Sequence, residues 1–169
     1  MAKLPVIFNV CTEIEQERSC VRVPRVTSPE EFFGYRLGSD RKIARWDKIV
    51  EYFYKLGSES DRIKVIEMGK TTEGNPFLLV IISSPENLRN LEHLRQVNLK
   101  IADPRGLSES QVKELVCEGR AVICQSMSLH ASEIGGTQMA PELAYDLLSQ
   151  DCPDALRILD NVIFLMVPC

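Results

Sequence analysis

AVICQSMSLHASEIGGTQMAPELAYDLL, residues 121–148, decides how this chain is read. The first nine residues, Ala121–Leu129, form a largely apolar run of strand length and read as a buried strand. His130 ends the run, Glu133 follows three residues later, and Gly135 and Gly136 precede an amphipathic pattern in which Met139, Leu143, Leu147 and Leu148 share one face. A helix is predicted from about Thr137, with Pro141 in its first turn, where a missing N–H costs little. An imidazole and a carboxylate thus fall together in the loop after a strand. In open α/β sheets, ligands bind at the carboxyl ends of strands.

Outward from this stretch, the pattern alternates helices with apolar strands. Downstream, a short helix over about Pro153–Leu159 leads to a last strand, Asn161–Val167. Upstream, Ser108 and Gln111 have capping-box spacing and open a helix over about 109–119. Ser84-Pro85-Glu86 opens another, with Leu88, Leu91 and Leu94 inward. Ile63–Met68 and Phe77–Ser83 read as a hairpin around the turn-forming residues 69–76. Lys42–Leu56 is predicted as a helix, because Ile43, Trp46, Ile49, Val50 and Phe53 recur at helical spacing, with Gly57 at its cap. Ser28-Pro29-Glu30-Glu31 starts a short helix that Gly34 stops. Leu4–Val10 reads as an edge strand. Helices interleaved with buried strands argue for an α/β sandwich, and the hairpin makes its sheet mixed.

The totals narrow the function. The chain has 169 residues, 44% of them hydrophobic, enough for a packed core. Twenty Lys and Arg against 24 Asp and Glu give a net charge of −4 without a basic block, so neither nucleic acid nor an anionic membrane surface is an expected partner. No apolar run approaches the ~20 residues of a membrane-spanning helix, and the N-terminus is a poor secretory signal. Six cysteines (Cys11, Cys20, Cys117, Cys124, Cys152 and Cys169) form no C-x-x-C, which leans towards reduced thiols and a cytoplasmic setting. Cys124, inside the strand pattern, reads as a small hydrophobe.

Several chemistries drop out. Gly69-Lys70-Thr71 shares three residues with a phosphate-binding loop, but Lys64 stands where that motif needs glycine, and a strand follows instead of a helix. Ser126 and Ser128 lack a G-x-S-x-G elbow. Cys124 and His130 carry no sign of an activated thiolate. His130 and Glu133 remain. Three-residue spacing on a turn entering a helix puts both side chains on one side. Zinc accepts imidazole nitrogen and carboxylate oxygen, and a catalytic zinc usually has three protein ligands. The chain offers no clear third. His93, its other histidine, reads as a surface residue of the Leu88–Leu94 helix.

The segment SLHASEIGGTQMAPELAYDLL, residues 128–148, resembles the zinc-binding segment of the zinc carboxypeptidases, the carboxypeptidase A-like metallopeptidases. Residues 27–88 resemble the N-terminal part of large prokaryotic members. GKTTEGNPFLLVIIS, residues 69–83, matches the family's Gly-x-Thr/Ser-x-Glu-Gly-Arg-Pro hairpin, with Asn75 where Arg is usual. The resemblance implies an α/β/α sandwich around a mixed sheet, with His130 and Glu133 as the first two ligands of a Zn2+ ion. It implies hydrolysis of the C-terminal peptide bond of a peptide or protein substrate by zinc-activated water. Ser132 stands where some carboxypeptidases carry a substrate-contacting Arg. After the strand matching NVIFLMVP, residues 161–168, the family continues into Asn-Pro-Asp-Gly, whereas this sequence stops at Cys169. The third ligand, the carboxylate-binding Arg and Asn and the general base lie further on in the family.

The expectation is therefore an N-terminal extension, residues 1–26, followed by residues 27–169 as the N-terminal portion of a catalytic domain, incomplete at its C-terminus and awaiting its missing part. Such a portion is expected to be inactive alone, to bind zinc weakly and to associate through an exposed sheet edge. Two other functions fit the same residues: a zinc-dependent amide deacylase of related fold, and a non-catalytic remnant acting as a binding module.

Overall fold

The computed structural model describes residues 26–130 and 132–169. The predicted Leu4–Val10 strand, Cys11, Cys20 and almost all of the predicted N-terminal extension lie outside these residues. The elements run α1 (Pro29–Phe33), α2 (Trp46–Glu59), β1 (Ile63–Lys70), β2 (Pro76–Ile82), α3 (Pro85–Arg89), α4 (Leu91–Ala102), α5 (Glu109–Glu118), β3 (Ala121–Ser126), α6 (Ile134–Ser149), α7 (Pro153–Asn161) and β4 (Val162–Val167).

The four strands form one mixed sheet in the order β1-β2-β4-β3. β1 and β2 are the antiparallel hairpin, with Ile63 opposite Ile82 and a bulge between Glu67 and Gly69. β4 runs antiparallel to β2 and parallel to β3, placing Ser126 opposite Val167. The parallel pair is joined by a helical crossover, as parallel strands require.

Alternation along the inner strands sorts two cores. Leu78, Val80 and Ile82 of β2 and Met166 of β4 face a cluster with Ile49, Tyr52, Phe53 and Leu56 of α2 and Ala140, Ala144 and Leu148 of α6. Ile81 and Ile163 face the other way, packing with Leu94 of α4 and with partly buried Leu79, Leu88, Leu91 and Leu165. A period of two that is apolar on both faces marks strands covered on both sides. The architecture is thus the expected α/β/α sandwich.

Local chemistry accounts for most boundaries. The Ser28 hydroxyl accepts the Glu31 N–H and opens α1, and Gly34 closes it at φ 74°. Both halves of the Ser108–Gln111 capping box are present. Two buried polar ties fix the layers. Arg62 donates to the Gln150 carbonyl and to Asp151 Oδ1, at 3.1 and 2.8 Å, joining the start of β1 to the end of α6. Asn87 donates to the Asp160 carbonyl at 2.9 Å and accepts from Arg120 Nε at 3.2 Å, which anchors the start of β3.

The structure corrects five expectations. The Lys42–Leu56 helix begins only at Trp46 and runs through Gly57 to Glu59; Ile43 lies before it and is exposed. The backbone N–H and carbonyl of Ala44 are taken by Gln138, at 2.7 and 3.0 Å, so the 37–44 segment is drawn onto α6 rather than into α2. The helix from Pro85 is two helices, broken at Asn90 (φ −104°, ψ 16°), whose N–H turns back to the carbonyls of Glu86 and Asn87. The strand from Ala121 ends at Ser126 rather than Leu129. Among the described residues it is an edge strand exposed along its whole length, not a buried one, because no described strand pairs with its outer side and the helices lie over the inner strands. α6 starts at Ile134, so Pro141 falls in its interior and not in its first turn, leaving the Thr137 carbonyl without an N–H four residues on.

Cys117, Cys124 and Cys169 carry free thiols, whereas Cys152 is disulfide-bonded, against the expectation of reduced cysteines there. Cys124 is exposed on β3 instead of serving as a core hydrophobe. Among the described residues, no helix is long and apolar enough to cross a membrane.

Candidate metal centre

The candidate centre lies where β3 gives way to α6. The last bond to the sheet is donated by Met127 N–H to the Val167 carbonyl, at 2.9 Å. The chain then turns and returns against its own start. An ideal Cβ built on Gly136 would stand 1.6 Å from the Met127 carbonyl oxygen. No larger residue fits unless backbone moves, so the second glycine of the pair lets the first turn of α6 press onto the end of β3. The segment between them, which carries His130 and Glu133, is held as a tight reversal.

Within the reversal, Glu133 N–H donates to the His130 carbonyl at 2.9 Å. The Glu133 carboxylate turns back over the loop. Its Oε2 accepts the backbone N–H groups of His130 and Leu129, at 3.0 and 3.2 Å. Its Oε1 lies 2.9 Å from His130 Nδ1. Glu133 is also the N-cap residue of α6, yet its side chain makes no bond to the helix N–H groups. The carboxylate is committed to the loop. The His130 backbone N–H, the His130 ring and the Leu129 N–H together hold the Glu133 carboxyl below the usual carboxylate range.

Two serine hydroxyls complete the loop. Ser126 Oγ donates to the Ser128 carbonyl at 2.5 Å, and Ser128 Oγ donates to the His130 carbonyl at 3.2 Å. Both His130 and Glu133 remain largely open to solvent, at 69% and 52% side-chain exposure. An ion or a substrate reaches them without displacing any packed side chain.

The structure therefore brings together the two residues singled out from the sequence. It does not bring His93 to them. That ring sits on α4, with Nε2 2.5 Å from Glu118 Oε1 of α5. Among the described residues, no third His, Cys, Asp or Glu gathers with the pair into a metal-ligating group. A neighbouring cleft of about 540 Å³ opens between residues 37–43 and the start of α6, with Ile43, Ile134, Met139 and Glu142 on its walls. Gln138, whose side-chain amide pins Ala44, fixes that wall and was not foreseen; no local pattern announces a bond between residues 94 apart in sequence. Ser126 and Ser128, which lack a nucleophile elbow, instead bond the loop's carbonyls, and their Ser-x-Ser spacing ahead of the histidine is the sequence feature that accompanies those bonds.

Imidazole nitrogen and carboxylate oxygen are donor types that zinc accepts, and His130 Nδ1 and Glu133 Oε1 face each other at 2.9 Å.

The family model described as zinc carboxypeptidase matches residues 49–169. Among solved structures, carboxypeptidase A from Helicoverpa armigera is similar at 17% identity with a TM-score of 0.48, over 82% of this chain and 29% of that one. The chain thus spans under a third of the length of that structure. No curated protein matches it.

Proposed function

The chain belongs to the zinc carboxypeptidase family, and from that premise we propose that it supplies the His130–Glu133 half of a zinc site that removes C-terminal residues from peptide or protein substrates. The observation that carries this is the convergence of His130 Nδ1 and Glu133 Oε1 to 2.9 Å in an open loop after a parallel strand. Zinc held there would polarise a substrate carbonyl and lower the pKa of a bound water to about 7.

The chain's own groups have definable tasks. His130 offers Nδ1 towards Glu133. Glu133 offers Oε1, while Oε2 keeps the loop's N–H groups. Gly136 and the Met127 carbonyl set how far the pair stands from the end of the sheet. Among the described residues the site has these two donors, short of the three protein ligands of a catalytic zinc. We therefore expect these 169 residues to bind zinc weakly and to leave peptides uncut.

The test is a zinc titration against a chromogenic chelator, followed by an assay on N-blocked peptides with excess zinc. Weak binding that disappears in His130→Ala and in Glu133→Ala is expected. Binding that neither substitution alters would overturn the ligand assignment, and clear turnover would overturn the expected inactivity.

A further inference from the structure

We infer that Ser128, backed by Ser126, is a positioning residue for the metal ligand His130, and that it acts mainly when a metal is bound. The inference rests on the proposed zinc site and concerns residues that are not themselves ligands.

Two hydroxyl bonds of identical form, each from a serine to the carbonyl two residues on, lead from the last residue of β3 to His130. Ser126 is fixed by the sheet, opposite Val167. It holds the Ser128 peptide, and Ser128 holds the His130 peptide. The His130 carbonyl then receives two donors, Ser128 Oγ at 3.2 Å and Glu133 N–H at 2.9 Å, which occupy both of its lone pairs. Its peptide plane is thereby set on the carbonyl side.

The N–H side is held differently. There the partner is Glu133 Oε2, which also takes the Leu129 N–H. In the metal-free chain the carboxylate serves as a cap for its own loop. A bound cation at Oε1 shares that same carboxylate with the Oε2 bonds, so the N–H side is held by a group that also serves the metal. The serine bonds touch neither donor atom and persist. Ser128 is thus the part of the loop's bonding with which the metal does not compete. Residues that orient a metal ligand through hydrogen bonds typically change metal affinity by about 10–100-fold.

The experiment measures Zn2+ and Co2+ affinity by chelator competition, and thermal stability without metal, for the 169-residue chain and its Ser128→Ala, Ser128→Thr and Ser126→Ala variants. Ser128→Ala is expected to bind Zn2+ about 10-fold more weakly, with a metal-free Tm unchanged within about 2 °C. Ser128→Thr, which keeps the hydroxyl, should restore most of the affinity. Ser126→Ala should act in the same direction, but less. Unchanged affinity in Ser128→Ala overturns the inference and leaves the zinc site standing. So does an affinity loss that Thr does not rescue, or one matched by a fall in metal-free Tm, since either marks a general structural role. Absence of zinc binding in the unsubstituted chain overturns both readings together.

Discussion

β2 and β3 are both short apolar strands of one sheet, and they live in opposite surroundings. β2, PFLLVII, is hydrogen-bonded on both sides and buried on both faces through most of its length. β3, AVICQS, is bonded on one side among the described residues and exposed throughout, with Val122 and Ile123 each about half accessible. The candidate chemistry sits on the second. A loop at the end of β2 could borrow rigidity from two cores. The loop after β3 has no such cover, and its shape comes from one glycine contact and a set of hydrogen bonds. Packing makes this sheet, and polar geometry makes its site.

The contrast breaks most sharply in the core. Ile82 is fully buried, and Ile82→Ala should destabilise the chain by about 3–4 kcal/mol through lost burial and the cavity left behind. Chemical denaturation monitored through Trp46 measures it. A loss under 1 kcal/mol would mean that the central strand is no better supported than the edge.

Gly136→Ala comes next. The added methyl cannot coexist with the Met127 carbonyl, so either the first turn of α6 or the end of β3 must move. A cost of about 1–3 kcal/mol is expected, in the range of overpacking elsewhere. Zinc affinity should fall further than that loss predicts, because the displaced segment carries both proposed ligands. Equal behaviour of Gly135→Ala, where a Cβ meets nothing within 4 Å, would remove the glycine from the account.

The edge itself yields a smaller effect on folding and a visible one on association. An unpaired apolar edge without charge or proline invites pairing with another strand. Ile123→Lys should change stability by no more than about 0.5 kcal/mol, as at other exposed positions, while reducing self-association measured by light scattering. If the unsubstituted chain is already a monodisperse monomer, the edge is better protected than its exposure indicates.

How much of this could be read beforehand follows the same division. The hairpin was legible because turn residues separate two apolar runs, and α2 was legible because Ile49, Val50, Phe53 and Leu56 keep helical phase. Its start was not: Ile43 keeps the same phase, yet a bond from Gln138, far along the chain, holds Ala44 outside the helix. The break at Asn90 was hidden because Leu88, Leu91 and Leu94 continue one stripe across it and no Pro or Gly marks it. The exposure of β3 was hidden because apolar content does not separate a central strand from an edge. At the site, residue type and spacing singled out His130 and Glu133 only as a candidate pair, and the family resemblance was what pointed to them as metal ligands. The carboxylate's commitment to the loop N–H groups, and the closeness of Gly136 to Met127, depend on a chain reversal that no residue pattern specifies.

The smallest prediction sets one carboxylate from each region side by side. On the packed side, Glu59 of α2 takes the Thr27 N–H and hydroxyl, both at 2.8 Å, tying the segment before α1 to the core helix. Partial burial pushes its pKa up, but bonds from Lys55 and Thr27 outweigh that and hold it below the ordinary value. Glu133, on the edge side, is held low chiefly by the His130 N–H. In both cases the folded pKa lies below the unfolded one. The stabilisation is therefore complete above the unfolded value, near 4.5, and is lost as pH falls through the folded pKa. The consequences should differ in reach. Protonating Glu59 loosens a tether of the core helix, so its loss belongs to the global Tm, and Glu59→Gln should flatten part of the acid limb of the stability curve. Protonating Glu133 weakens its hold on the His130 ring and on the Leu129 and His130 N–H groups, all within the loop, so amide exchange should quicken at those two positions while Tm stays put. A Glu133→Gln variant whose Tm shifts as much as that of Glu59→Gln would show that the loop and the core are one cooperative unit, and the division drawn between β2 and β3 would not hold.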